Sequence, residues 1–366
     1  MTAFRAILVD TYRELSSKRL FWLSMGLSAL VVLAFAMIGI NEKGMSILAW
    51  TIELPLLNTL TLETGEFYKL AFYTLGVRVW LAWLACLLAL VSSAGLFPEL
   101  VASGTVETLL ARPVPRWRLY LSKFAGGLLF TMLQVGVFCG ASFIVIGVRG
   151  GAWEPGIFLA VPMVTVLYSY LFSACALIGT LTRSAIAALL LTVLFWGFLF
   201  TLNSSESVVN GFRIGKEQEI AAIDRLIDRR RQKDANVDVT DLSGEREQAD
   251  GALQSLRTAH RILFAAKTAL PKTDETVALV QRWMVDAANL DSVSDDEPEQ
   301  APSVLEKRRR GRGTSFGVVR ARERDVVAAI DADQRARGVM WILGTSLAFE
   351  AVVLAIGCRV FTRRDF

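Results

Sequence analysis

Leu20-Phe21-Trp22-Leu23-Ser24-Met25-Gly26-Leu27-Ser28-Ala29-Leu30-Val31-Val32-Leu33-Ala34-Phe35-Ala36-Met37-Ile38-Gly39-Ile40 contains no acidic or basic residue. A helix rises about 1.5 Å per residue, so about 20 such residues cover the roughly 30 Å hydrocarbon core of a bilayer. Ala185 to Leu202 is a second block of the same kind. A soluble domain of 366 residues and 53% hydrophobic content would spread its apolar residues along the chain. Here they are gathered into blocks that carry almost no charge, at a mean hydropathy of +0.44. The chain reads as a membrane protein.

On the N-terminal side of the first block, Phe4, Ile7, Leu8, Thr11, Tyr12 and Leu15 recur at helical spacing. Arg5, Asp10, Arg13, Glu14 and Lys18 lie mostly off that stripe. The pattern predicts an amphipathic helix over 1–19 that lies on the membrane surface. A cleavable signal peptide is the weaker reading, because the run from 20 to 40 is too long for a signal core.

On the C-terminal side, residues 41–70 are polar, and further spans are expected at 71–96, 124–148, 156–181, 185–203 and 339–361. The turn between the fourth and fifth is Thr182-Arg183-Ser184. The fold expected is all-α and integral to the membrane, with transmembrane helices 1–5 within 20–203 and the sixth within 339–366. Short-loop basic residues set orientation. Arg5, Arg13, Lys18, Arg19, Arg112, Arg116, Arg118, Lys123, Arg183, Arg363 and Arg364 fall on one side, against Lys43, Lys69 and Arg149 on the other. Both termini are therefore expected in the cytoplasm.

That orientation places residues 204–338 outside the cytoplasm as a largely helical insert. Residues 216–232 and 245–266 are patterned as an antiparallel hairpin. A third helix over 273–290 carries Val277, Val280, Trp283, Met284 and Ala287 as an apolar stripe expected on the outer leaflet. Residues 291–315, opening on Asp291-Ser292-Val293-Ser294-Asp295-Asp296-Glu297-Pro298, read as disordered. Residues 317–334 read as a helix leading into the last span.

Several classes of chemistry are disfavoured. Cys86, Cys139, Cys175 and Cys358 all sit in apolar blocks without metal-ligand spacing, and His260 is the single histidine. No metal site is expected. The run Lys307-Arg308-Arg309-Arg310-Gly311-Arg312 reads as a solvated or lipid-headgroup-facing segment, and no nucleic-acid partner is expected. Asp286, Asp291, Asp295 and Asp296 lack the glycine that a calcium loop requires.

The segment from Phe97 to Arg118 is more elaborate than a linker needs to be. Glu99 precedes a helix start at Ser103-Gly104-Thr105, and Glu107 complements the helix dipole there. Val106, Leu109 and Leu110 form a small apolar face, Pro113 and Pro115 stop it, and Arg116 and Arg118 follow. A short helix with an exposed apolar face suits docking into a groove on another protein. The stretch resembles the signature of the export-type permeases of ABC transporters (the ABC-2 type): Gly-Thr, an acidic residue, two leucines, then Pro and Arg before a span. The Arg363-Arg364-Asp365-Phe366 tail, the leading surface helix and the six-span count are similar to that family too, outside 204–338.

The resemblance implies an exporter half whose ATPase is a separate polypeptide. No Gly-x-x-x-x-Gly-Lys-Ser/Thr loop occurs in this chain, so no cofactor is expected in it, with ATP and magnesium on the partner. The implied partners are two copies of an ABC ATPase subunit and a second permease subunit, in a homodimer or heterodimer. Membrane lipid and an extracytoplasmic protein are the remaining partners expected. The implied location is the plasma membrane or bacterial inner membrane. Carried over by position, Glu99, Gly104, Thr105, Glu107, Leu109, Leu110, Pro113 and Arg116 form the ATPase-coupling segment.

Glu350 stands in the middle of the last expected span, where a charge costs about 2.5–3.5 kcal/mol on insertion scales. It marks the substrate path or subunit interface, or is a carboxyl hydrogen-bonded between helices to Gln134 or Tyr168. Two other functions compete. An intramembrane enzyme would need a second buried acid or a metal set beside Glu350. A non-transporting sensor or anchor would use 204–338 to bind an envelope partner.

Overall fold

Where the chain can cross a bilayer, most of its helices run longer than its apolar blocks. A computed structural model describes residues 2–17, 19–41, 44–47, 50–53, 63–101, 115–233, 238–287 and 323–363. After α1 (Thr2–Ser17), six helices among the described residues are long and apolar enough to span. They are α2 (Arg19–Met37), α3 (Thr64–Val101), α4 (Arg116–Gly150), α5 (Pro155–Thr182), α6 (Ala185–Lys233) and α10 (Met340–Arg363). Helices α7 (Thr240–Thr268), α8 (Thr273–Ala287) and α9 (Glu323–Ala336) lie between α6 and α10. The all-α membrane class holds, with one small exception.

That exception lies just past α2. Helix ends at Met37, three residues before the end of the apolar block, and β1 (Ile38–Asn41), β2 (Gly44–Ile47) and β3 (Trp50–Glu53) form an antiparallel meander. Ile38 pairs with Ile47, and Ile47 with Trp50. The Tyr68 hydroxyl donates to the Ile38 carbonyl at 2.6 Å and accepts from Arg149 Nε at 3.1 Å, so the meander is tied to α3 and α4. The stripe of apolar residues runs straight through the helix end, which hides the change of structure.

Charged residues that suggest loops are paired, and this moves several boundaries. Helix α3 begins at Thr64 rather than near residue 71, because Lys69 is matched to Glu154 at 3.1 Å. Helix α4 begins at Arg116 rather than near residue 124, with Lys123 Nζ 2.5 Å from Glu14 of α1. That contact and the burial of Thr11 and Leu15 set α1 on protein: a Cβ added at Gly126 of α4 would lie 2.6 Å from Thr11. The part of the α1 stripe carried by Thr11 and Leu15 thus faces α4 instead of lipid, while Val9 and Tyr12 stay exposed.

The described residues form two compact units. The first comprises 1–197, 273–292 and 346–366; the second comprises 198–272 and 293–345. In the first, α4 packs against α1, α2, α3 and α5. Helices α3 and α5 are mostly buried, whereas α2, α6 and α10 turn large apolar side chains such as Trp22, Leu33, Leu194 and Val352 outward. Outward-facing apolar stripes of this kind are what lipid requires. Over Phe72–Ala85 helix α3 widens to i→i+5 hydrogen bonding, a form more often confined to a single turn. Helix α8 packs on α3 and α5, burying Leu279, Val280 and Met284. Val280 and Met284 of its stripe therefore have a protein partner in place of the outer leaflet.

Glycine sets how closely α4 and α5 approach. A Cβ at Gly127 would sit 2.5 Å from the ring of Phe172, which is fully buried and stacked on Phe124 and Tyr168. Gly136, on the same helix, has open space around it. Alanine ordinarily stabilises a helix relative to glycine by about 1 kcal/mol. Gly136→Ala is expected to show that gain, and Gly127→Ala to lose about 1–3 kcal/mol by overpacking. Thermal melts of the two purified variants should move in opposite directions; a shared direction would contradict this packing.

In the second unit, the part of α6 beyond residue 198 and α7 run antiparallel around Ile220, Ala249 and Leu253. Arg246–Asp224 at 2.7 Å and Arg257–Glu217 at 3.1 Å flank that core. Helix α9 joins through Asp333, which accepts from Asn210 Nδ2 at 2.8 Å and lies 3.4 Å from Arg213. Helix α6 is unbroken from Ala185 to Lys233, joining the span expected over 185–203 to the helix expected over 216–232. The polar residues there point inward and are satisfied, so they do not end the helix: Asn203, Glu206 and Asn210 are all buried.

Candidate functional site

Residues 102–114, with Gly104, Thr105, Glu107, Leu109, Leu110 and Pro113, lie outside the described residues. Their flanks are described and firmly held. Before them, Leu96–Val101 closes α3 with Phe97, Pro98 and Leu100 buried and Glu99 exposed. A Cβ at Gly179 of α5 would lie 3.0 Å from the Pro98 ring. After them, Arg116 opens α4 and its Nη1 donates to the Thr362 carbonyl at 3.3 Å, capping the end of α10. Between the two flanks, the Phe97 and Tyr120 rings lie 4.7 Å apart, Tyr120 meets Phe361 at 5.8 Å, and Phe97 meets Phe172 at 5.8 Å. Four helices are thus locked by aromatic contacts where the segment leaves and rejoins them. Glu99 and Arg116, the two described members of the expected set, stand at this same end.

Glu350 is buried on α10, and its Oε2 accepts from the Ser169 hydroxyl at 2.7 Å. Neither suggested partner reaches it. Tyr168, one residue and about 100° away on α5, turns instead to Ser93, with 2.5 Å between hydroxyl oxygens. Gln134 lies on the α4 stripe whose Phe138 meets Phe72 and Trp80 of α3. Gln134 is 1% exposed, and among the described residues neither of its amide atoms has a hydrogen-bond partner. The same is true of Ser142 Oγ on that stripe and of Tyr73 hydroxyl and Trp80 Nε1 on α3. A buried polar group without a partner costs about 1–3 kcal/mol. Two of these groups sit in the widened segment of α3.

Among the described residues, the largest concentration of buried charge falls elsewhere, in the second unit. Glu206 is fully buried. Its carboxylate accepts from Arg337 Nη2 at 2.7 Å, Arg337 Nη1 at 3.2 Å and Lys267 Nζ at 2.8 Å, with His260 Nε2 at 3.1 Å. Phe264 stacks on Trp341 at 5.0 Å, and Lys272 lies 4.5 Å over the Trp341 ring. A signal for this site exists in the sequence. Asn203, Glu206, Asn210, Arg213 and Glu217 follow the alternating three-and-four spacing of a helix seam, in polar rather than apolar residues, and Ile220 continues it.

Six helices long and apolar enough to cross a membrane, with a helical insert before the last, define a polytopic membrane subunit. The family model described as ABC-2 family transporter protein matches residues 12–219, and the chain belongs to that family. The match begins within α1 and covers the first five spans, ending in α6. No curated protein and no solved structure matches the chain. As an ABC-2 permease the chain is a membrane subunit, not itself catalytic, and its partner is an ABC ATPase subunit.

Proposed function

We propose that this chain is the permease subunit of an exporter and moves its substrate using ATP hydrolysed, with magnesium, on a separate polypeptide. Two ATPase copies bind a pair of permeases, homodimeric or heterodimeric, in the plasma membrane or bacterial inner membrane, and both termini are cytoplasmic. The observation that carries this reading is the aromatic lock around 102–114 in a chain of this family. A coupling helix transmits force only if its ends are rigid, and Phe97, Tyr120, Phe172 and Phe361 tie those ends to α3, α4, α5 and α10. Gly104, Thr105, Glu107, Leu109, Leu110 and Pro113 make the docking segment, with Glu99 and Arg116 at its roots. The substrate route follows Gln134, Tyr168 and Glu350. The unpartnered groups of Tyr73, Trp80, Gln134 and Ser142 support a route beside them, since water or cargo satisfies them there.

Reversing the charge at the docking segment separates assembly from folding. Glu107→Arg should reach the membrane at normal levels while recovery of the co-expressed ATPase on pull-down falls about tenfold or more. Undiminished recovery would refute the docking assignment.

A further inference from the structure

Between Phe72 and Ala85 of α3 the outward-facing side chains are Thr74, Leu75, Arg78, Val79, Trp83 and Leu84. These pairs recur every four to five residues, whereas an α-helix repeats about every 3.6. The wide i→i+5 bonding of this stretch is thus written in its exposure as well as in its backbone. Ordinary α-helix bounds it on both sides, over Thr64–Ala71 and Cys86–Ser93. Carried through at i→i+4, the same residues would present a different face. Leu81 and Ala82, seven residues beyond Thr74 and Leu75, would turn outward. Trp83 and Leu84, nine residues beyond, would turn inward. All four are apolar, so lipid accepts either arrangement. On the inner side, Tyr73 hydroxyl and Trp80 Nε1 are buried without a partner among the described residues. Hydrogen bonding by these two groups therefore does not fix one form.

Two contacts hold the wide form. Gln281 of α8 donates from Nε2 to the Tyr73 carbonyl at 3.1 Å. The buried Leu279, Val280 and Met284 seat α8 where that bond can form. Further along the stretch, the Trp83 ring stacks on Trp196 of α6 with centroids 4.8 Å apart. Both clamps belong to helices that the insert continues: α8 follows Lys272 directly, and α6 runs on to Lys233. We infer that Phe72–Ala85 is a register switch, and that the Gln281 bond is the latch that keeps it at i→i+5. In the α form the Tyr73 carbonyl passes from the Arg78 N–H to the Val77 N–H, and Trp83 leaves Trp196. The use of this switch in transport rests on the route proposed above, whereas the register itself needs neither cargo nor ATPase.

The test reconstitutes the full-length protein in lipid vesicles and irradiates it with a membrane-soluble aryl diazirine, whose carbene marks lipid-facing side chains. Label at Leu33 of α2, outward in the fold, is the internal standard. In the wild type, Trp83 and Leu84 should be labelled in preference to Leu81 and Ala82. Gln281→Met removes the donor at nearly constant volume and should lower that preference about fivefold, the population shift of one lost hydrogen bond. Gln281→Lys keeps a donor at this position and should retain the wild-type pattern. A wild-type pattern in Gln281→Met overturns the switch, as does an equal shift in Gln281→Lys or wild-type label centred on Leu81 and Ala82. None of these results bears on the permease assignment, which depends on the side of the membrane that holds Thr105.

Discussion

Replacing Glu206 with alanine is expected to lower stability by about 3–5 kcal/mol, the cost of removing one partner from a buried ion cluster. The carboxylate is fully buried, and both Lys267 and Arg337 are largely shielded from water beside it. Alanine withdraws the anion that these two cations share. Arg337 keeps a 3.5 Å contact to Asp333. The cluster itself need not stabilise the fold, because apolar residues of similar volume often replace such groups at little cost. Glu206→Leu combined with Lys267→Met and Arg337→Met should therefore melt closer to wild type than Glu206→Ala alone. Thermal unfolding in detergent decides, and an unchanged melting temperature in Glu206→Ala would contradict the burial.

Glu350→Lys is expected to be largely lost from the membrane, whereas Glu350→Gln accumulates near the wild-type level. Glutamine retains an acceptor oxygen for the Ser169 hydroxyl that lies 2.7 Å from Glu350 Oε2. Lysine offers donors only, and a fixed charge mid-span costs about 2.5–3.5 kcal/mol. Ser169 Oγ, which also lies 2.8 Å from the Val166 carbonyl, is a single neutral acceptor and does not compensate a buried ammonium charge. Comparing membrane yields of the two variants tests the position. Equal yields would place Glu350 at a water-filled surface.

The spans were legible because lipid demands about 20 apolar residues in a row, and nothing else in a sequence mimics that. Their ends were not. Lys69 and Lys123 look like exits from the bilayer, yet their partners Glu154 and Glu14 are far along the chain, and only tertiary structure brings them together. The strands at 38–53 escaped notice because Ile38 and Ile40 extend the apolar run of the helix before them. Polarity misled at Asn203 to Asn210, where the residues that mark the end of the expected span form the inside of a continuous helix. Spacing would have corrected that reading, since loops have no three-and-four period. Glu350 was identifiable from its solitude among apolar neighbours, but its partner was not, because serine 169 is one of many small hydroxyl residues in the spans. The coupling segment expected from the motif Gly104-Thr105 through Arg116 falls mostly outside the described residues, and the structure adds the anchoring of its two flanks.

Position 105 bears most directly on the permease assignment, which needs 102–114 exposed to the cytosol where a nucleotide-driven partner can reach it. Cys86, Cys139, Cys175 and Cys358 are first replaced, and Thr105→Cys is then probed with a membrane-impermeant maleimide. Intact cells should leave the cysteine unmodified and permeabilised cells should label it. Labelling in intact cells would put the segment on the wrong face for any ATPase and contradict the assignment.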